Sequence, residues 1–111
     1  MRIQQLATTR AEVFRPPAVV NGVRGEQEVY DPSMPCTAPV EASLEVVQRA
    51  ALESYLQVYE MFFVGDSAQS VRAGWRLIIS NRHFVVRVIT PITIVREEVM
   101  HALVEEEFPR V

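Results

Sequence analysis

Lysine is missing from this chain of 111 residues, and all 11 of its basic side chains are arginine. The planar guanidinium suits paired hydrogen bonds and protein interfaces better than an ammonium group does, although codon usage in a GC-rich genome would give the same composition. The formal net charge is −3. Because wrapping nucleic acid needs a basic surface, the composition argues against a nucleic-acid-binding protein. It is compatible with a wall along which DNA slides without sticking.

Residues for metal binding or catalysis are also few. The single cysteine, Cys36, has no partner for an internal disulfide. It lies between Pro35 and Thr37, with no cation nearby in sequence to stabilise a thiolate, so we interpret it as a small buried apolar side chain. Neither His83 nor His101 has another ligand at the spacing of a metal site. Nucleophile motifs and phosphate-binding glycine loops are absent from the sequence. We therefore expect no catalytic activity, no metal and no cofactor.

Long apolar runs are absent as well. No run approaches the roughly 20 residues that cross a bilayer. The first residues lack the apolar segment and cleavage site of a signal peptide. The length predicts a single domain over residues 1–111, in a protein of a reducing compartment with no membrane partner.

The clearest pattern that the sequence does contain is a β-hairpin at residues 73–90. Two runs rich in β-branched and aromatic residues flank a polar turn at residues 80–82. Asn81 tolerates the left-handed backbone conformation that such a turn needs. This hairpin is the element around which we expect the rest of the chain to fold.

Within the second run, alternation predicts the faces of the strand. Phe84, Val86 and Val88 should share one face because side chains alternate along a strand. Pro91 has no N–H to donate to a neighbouring strand, so we expect it to end the strand.

Extended patterns recur elsewhere, at residues 8–14, 26–30, 54–64 and 92–95. The turn dipeptide Asn21-Gly22 predicts that the first two of these form a long hairpin with a mobile tip. Prolines at positions 32, 35 and 39 exclude a helix there. They predict a loop at residues 31–35, followed by a short edge strand over residues 35–40.

Residues 96–107 fit two patterns. Val95, Val99, Ala102 and Leu103 have helical spacing, whereas alternate residues from Val99 to Val104 fit a strand. Three glutamates at positions 105–107 would oppose the dipole at a helix C-terminus, which slightly favours the strand. Together with glutamates 97 and 98 they are interpreted as a solvated face rather than a calcium site.

Residues 41–52 form the one convincing helical stretch, because good helix formers fill it and Leu44, Val47 and Ala51 recur at three- and four-residue spacing. Glu45 and Arg49 are four residues apart and can pair weakly. Since so short a helix must pack on something to be stable, we interpret it as an assembly interface that reorders on binding. Its residues are Leu44, Glu45, Val47, Gln48, Arg49 and Ala51. The count of six or seven strands and one short helix predicts a mainly β fold, a small antiparallel barrel or sandwich.

The order of these pieces resembles the head-closure proteins of long-tailed bacteriophages, also called head-completion, stopper or head–tail joining proteins. The resemblance is carried by the opening strand at 10–16, the glycine-bearing hairpin at 21–30, the helix at 41–52 and the hairpin at 71–88. It implies a small antiparallel β-barrel with one short helix or long loop inserted at about 41–53.

The resemblance also implies a role and partners. The protein would be a structural component of the virion neck, assembled in the host cytoplasm, in a homo-oligomeric ring of six or twelve copies. Portal and adaptor proteins would lie above the ring, and tail-terminator or tail proteins below it. The ring would close the DNA-filled head, dock the tail and let DNA pass without sequence-specific binding. Gene transfer agents and defective prophages use the same part.

Three other interpretations remain open at this point. The chain could be another neck protein, either an adaptor, which would be mainly helical, or a tail-completion protein. It could be a small barrel of the SH3 or OB type that binds a peptide or oligonucleotide as a monomer. It could also be a small enzyme, against which the scarcity of catalytic residues argues.

Overall fold

A computed structural model describes residues 6–17, 19–52 and 57–108 of the chain. The described residues form nine strands, one α-helix and one 3₁₀ turn. In chain order these are β1 Thr9–Arg15, β2 Val19–Val20, β3 Val23–Arg24, β4 Glu28–Cys36, β5 Val40–Glu41, α1 Leu44–Arg49, β6 Val58–Phe63, the 3₁₀ turn Asp66–Ser70, β7 Arg76–Ile79, β8 Arg82–Ile94 and β9 Glu97–Glu107.

Seven strands form one antiparallel sheet in the order β4-β1-β7-β8-β9-β6-β5, and a further β4–β6 pairing closes it into a barrel. At this seam Cys36 lies opposite Phe63. The backbone N–H of Thr37 donates to the carbonyl of Phe62 at 2.9 Å, and that of Val64 donates to Pro35 at 3.1 Å. The prediction of a mainly β antiparallel barrel with a short helix is confirmed.

The predicted β1–β4 hairpin is present, while the mobility of its tip stays a prediction. Strands β1 and β4 pair antiparallel, and β2 and β3 form a small separate ribbon at the tip. Asn21 and Gly22 turn this ribbon with φ values of 52° and 77°, the left-handed region that favours an Asn-Gly dipeptide.

The predicted hairpin at residues 73–90 corresponds to β7 and β8. Its two turn residues, Ser80 and Asn81, have φ values of 50° and 65°, as a tight two-residue hairpin turn requires. Ile79 and Arg82 are the first residues paired beyond the turn.

The prolines behave differently from the prediction. Strand β8 continues through Pro91 to Ile94, and β4 continues through Pro32 and Pro35. Beyond Val86 the neighbour of β8 in the sheet is β9 alone, because β7 pairs with residues 82–85 only. A strand with one open edge tolerates proline, and Pro32 falls where the β1–β4 register shifts, so the predicted loop at 31–35 is part of a strand.

A β-bulge at Arg87 overturns the predicted faces of β8. The register of β8 against β9 shifts between Val86 and Val88, and the extra residue reverses the alternation that follows it. Val88 therefore packs outside the barrel, while Ile89 packs against the main core. The prediction that Val88 shares a face with Phe84 is wrong for this reason.

Of residues 96–107, which the sequence left open, Glu97–Glu107 form strand β9 and Arg96 lies in the turn before it. The strand pairs with β8 along its whole length and with β6 from Met100 to Glu105. Glutamates 105, 106 and 107 each form an ion pair, with Arg87 at 2.6 Å, Arg82 at 2.8 Å and Arg76 at 3.4 Å. They therefore belong to the sheet rather than to a free acidic face.

The turn between β8 and β9 has an unusual composition. Val95 and Arg96 occupy it with φ values of 47° and 66°, the region where Asn and Gly are favoured and a β-branched residue is strained. Val95 is also 71% exposed, so the strain is not offset by burial of its side chain.

Phe84→Ala should lower the free energy of unfolding by about 3–5 kcal/mol. The side chain is 0% exposed in the main core, so truncation leaves a cavity. Urea unfolding of the two proteins measures the difference. Val23→Ala, at an exposed position, is the control and should change stability by no more than about 0.5 kcal/mol. Equal effects of the two substitutions would contradict the assignment of the core.

Replacing Val95 by Asn and Arg96 by Gly together should raise the free energy of unfolding by about 1 kcal/mol, because both residues suit a left-handed turn. Thermal or urea unfolding checks this. A loss of stability would mean that the two native side chains make stabilising contacts within the monomer.

Candidate assembly surface

The interior of the barrel is filled by side chains. Its largest fully buried members are Phe63, Phe84, Met34, Met61 and Leu77. Small barrels fill in this way because their inward-facing side chains meet across the axis. The interior of one copy therefore offers no passage for a polymer.

A polar cluster contacts the barrel core at Phe84. The guanidinium of Arg82 donates two hydrogen bonds to the carboxylate of Glu106, at 2.8 and 3.1 Å. The same guanidinium lies 5.0 Å from the ring centroids of both Tyr59 and Phe84. The hydrogen bond from Arg82 holds the pKa of Glu106 below its usual range, and the bond to Glu106 raises the pKa of Arg82.

A second cation–aromatic cluster lies at the opposite end of β7. Arg15 is 4.8 Å from the ring centroid of Tyr30 and 5.7 Å from that of Trp75. The two rings meet edge to face at 4.9 Å. Trp75 precedes β7 and Arg82 follows it, so the two arginine clusters flank the strand.

The outer face of β6 and β9 is covered in two places. Helix α1 covers one end through Val47, which packs with Val58 and Leu103. Ala7, Val64 and Val99 form a second cluster near the other end. Between the two covers, the described residues leave the sheet partly open, with the side chains of Phe62 and His101 partly exposed.

A groove occupies this open area, and we call it the outer groove. It is lined by Leu6, Thr37, Ala38, Val40, Glu60 and Phe62, with a volume of about 480 Å³. Beside it, His101 Nε2 lies 2.6 Å from Glu60 Oε1, and the His101 ring is 5.1 Å from that of Phe62. The groove thus combines apolar walls with one carboxylate.

The predicted helix is shorter than the sequence suggested. It spans Leu44–Arg49, with the Ser43 hydroxyl accepting the N–H of Val46 at 3.3 Å as its N-terminal cap. Glu41 belongs to β5 instead, because the β5–β6 pairing captures it opposite Tyr59. Residue 53, at the end of the predicted insertion, lies outside the described residues.

The predicted interface residues fall into different environments. Val47 is 6% exposed and packs on the barrel, whereas Leu44 is 60% exposed. Ala51 follows the helix with φ of 58° and is exposed. The apolar residues that join Val47 against the barrel are Ala42, Val46, Ala50 and Leu52, so the predicted stripe of Leu44, Val47 and Ala51 does not pack as one face.

The polar residues of the prediction all face solvent. Glu45, Gln48 and Arg49 are exposed, and Arg49 donates to Glu45 at 2.5 Å. The predicted pairing of Glu45 with Arg49 is confirmed. Whether these residues contact a partner stays a prediction.

The described parts of the chain have few features of a catalytic or metal-binding site. They contain no group of three His, Cys, Asp or Glu side chains that could hold a metal ion. A second groove of about 390 Å³ runs past Ile89 and Pro91, with Arg72 donating to the carbonyls of Gln69 and Val71 at its edge.

Burial raises the pKa of the Cys36 thiol to about 11, so it is protonated and inert at neutral pH, as a structural cysteine should be.

The outer groove was not found from the sequence. Phe62 and Phe63 are adjacent in β6, and adjacent residues of a strand point to opposite faces. Applying that rule would have placed Phe62 and Glu60 on the outer face once Phe63 was assigned to the interior. The contribution of Leu6 and Val40 depends on long-range pairing that no local pattern reveals.

Comparison with known proteins adds little to the sequence. The chain matches no known protein family, and no curated protein matches it. Among solved structures it is similar to the phage-like element PBSX protein xkdH from Bacillus subtilis, with TM-score 0.48 and 11% identity, covering 89% of this chain and 93% of that one. Similarity at this level transfers no role from one chain to the other. No helix in the described ranges is long and apolar enough to span a membrane.

Separate substitutions of Leu44 and Val47 should distinguish an exposed side chain from one that packs on the barrel. Val47→Ser should lower the free energy of unfolding by about 1–3 kcal/mol, because it removes buried apolar atoms and buries a hydroxyl. Leu44→Ser should change it by no more than about 0.5 kcal/mol, since the side chain is exposed. Urea unfolding measures both. A large effect of Leu44→Ser alone would show that its side chain is part of the folded core.

The Arg82–Glu106 pair should make stability depend on pH. Because the pKa of Glu106 is lowered from 4.5 in the folded protein, the pair stabilises the fold above about pH 4.5, and this contribution is lost as the pH falls through the lowered pKa. Glu106→Gln should reduce stability at neutral pH and flatten the acid limb of a stability–pH curve. An acid limb identical in the two proteins would assign the effect to other carboxylates.

Proposed function

We propose that this chain is a structural protein of the head–tail connector of a long-tailed phage or a related particle. It forms a ring beneath the portal–adaptor complex, closes the DNA-filled head and provides the docking surface for the tail. The observation that carries the proposal is the architecture: a closed antiparallel barrel with a short helix inserted between β5 and β6. This is the arrangement that the resemblance in the sequence implies.

The filled interior supports assembly into a ring. A polymer cannot pass through a barrel whose lumen is occupied by side chains such as Phe63 and Phe84. Passage of DNA would therefore need a channel between copies, around a symmetry axis. The net charge of −3 suits a channel wall, because an acidic surface does not hold the phosphate backbone.

The proposal includes partners and a location. Six or twelve copies would surround the channel in the virion neck, with portal and adaptor proteins on one side and tail-terminator or tail proteins on the other. The role is mechanical, and we propose no catalytic step, cofactor or metal. The exposed helix residues Leu44, Glu45, Gln48 and Arg49 are the proposed contacts with a neighbouring subunit or neck partner.

Leu44→Ser should abolish attachment to filled heads while leaving the fold intact. Its exposed apolar side chain contributes little to the monomer, so a defect in assembly would report on the interface alone. Heads filled with DNA but lacking this protein would be incubated with purified wild-type or variant protein, and retained DNA and tail attachment would be measured. Val29→Ser, an exposed apolar residue on β4, is the matched control.

The outcomes distinguish the proposal from its competitors. Wild-type protein that neither retains DNA nor restores tails would contradict a head-closure role. Normal assembly of Leu44→Ser would keep the role and remove Leu44 from the interface. Binding of a peptide by the isolated monomer, without binding to heads, would favour a small recognition module instead.

The isolated protein should be mostly monomeric at micromolar concentration, because a protomer of this size offers little area with which to hold a ring without partners. Light scattering measures the mass directly. A stable ring in the absence of neck partners would contradict this expectation.

A further inference from the structure

The β8–β9 turn, residues 95–96, holds an apolar side chain in solvent at a strained conformation. Val95 is 71% exposed with φ of 47°, although an Asn-Gly pair would relieve the strain. Arg96 forms no ion pair with any residue in the described parts of the chain. Strain that does not serve the monomer is a reason to look for a binding role.

The outer groove has the complementary chemistry. Leu6, Val40 and Phe62 supply apolar walls, and the volume of about 480 Å³ is ample for an isopropyl group. Glu60 lies beside Val40 on the neighbouring strand and supplies a carboxylate within the groove. An apolar residue followed by an arginine therefore matches the groove in both polarity and charge.

The turn cannot reach the groove of its own chain. Strand β9 runs continuously from Glu97 to His101, which borders the groove. Five residues of extended chain from Arg96 to His101 span about 17 Å. If this turn fills an outer groove, that groove must therefore belong to another copy of the chain.

We propose that the β8–β9 turn of one copy inserts Val95 into the outer groove of a second copy, with Arg96 against Glu60. The turn and the groove are distinct surfaces, so each copy gives one turn and receives another. Repeated contacts of this head-to-tail kind generate a ring when the rotation closes. This inference names the contact between neighbouring subunits of the proposed ring. It rests on the proposed function only in assuming that a ring forms.

A second copy explains the observations better than a foreign peptide, because both halves of the contact are present on this chain. Among the described residues, the cation on the turn has no ion-pair partner, and the carboxylate in the groove has only the His101 ring. Burial of Val95 against Val40 and Phe62 would also offset the strain of the turn.

Disulfide trapping tests the contact directly. One chain would carry Val95→Cys and the other Val40→Cys, and the mixture would be oxidised mildly and analysed by mass spectrometry. The native Cys36 is fully buried with a pKa of about 11, so it does not compete. The heterodimer should form faster than either homodimer. A chain carrying both substitutions should give a ladder of oligomers.

Val23→Cys supplies the matched control. Val23 is 70% exposed beside the turn of the other hairpin, so it reports on random collision. Val95→Cys should be trapped with Val40→Cys at least about tenfold faster than Val23→Cys is, because docking raises the local concentration of the thiol. Equal rates, or a predominance of Val95→Cys homodimers, would overturn the proposal.

Charge reversal separates the specific contact from general stickiness. Arg96→Glu should slow trapping severalfold, and Glu60→Arg in the accepting chain should restore it, with circular dichroism confirming that both variants fold. Failure of the rescue would overturn the pairing of Arg96 with Glu60. If neck partners, but not added copies of this chain, protect Val40→Cys from alkylation, the occupant is another protein and the proposal is wrong.

The two proposals fail in different ways. A protein that closes heads but shows no trapping has the proposed function without this contact. A protein that is trapped as expected but does not close heads has the contact without the function.

Discussion

The pairing of β9 on both of its edges is the constraint on which the fold depends. This strand joins β8 to β6, and through them it connects the two halves of the barrel. Its inner face supplies Met100, Ala102 and Val104 to the core, while its outer face supplies Val99 and Leu103 to the two clusters that border the outer groove. The segment that local patterns could not assign thus organises the molecule, because its role is set by neighbours far away in the sequence.

The absence of lysine acquires a structural meaning at the ends of β7. Arg82 both stacks on two rings and holds a carboxylate with two hydrogen bonds, and Arg15 lies against Tyr30 and Trp75. A planar guanidinium can stack on a ring while its edge donates two hydrogen bonds to one carboxylate, whereas an ammonium has no planar face and no such fork. Codon usage can explain why arginine is the only available cation, but the contacts of Arg82 explain why lysine would not substitute there.

The parts of this fold that could be predicted are those that depend on residues close together in the sequence. The turns at Asn21 and Asn81 and the ion pair of Glu45 with Arg49 follow from the residues themselves. The predictions fail where tertiary pairing decides. An open edge accommodates Pro91 within β8, and the bulge at Arg87 moves Val88 to the outside. The same limit applies to the candidate surface, since the exposure of Leu44 and the groove around Phe62 depend on which strand lies next to β6.

The seam between β4 and β6 has a consequence for how the inserted segment can vary. Hydrogen bonds between Thr37 and Phe62 hold the seam, and the N–H of Ala42 donates to the carbonyl of Val58 at the base of the segment between β5 and β6, so its two ends are held together. With its ends already fixed, doubling the length of such a loop adds only about 0.6 kcal/mol of closure entropy. The insertion can therefore gain or lose residues while the barrel that carries it stays unchanged.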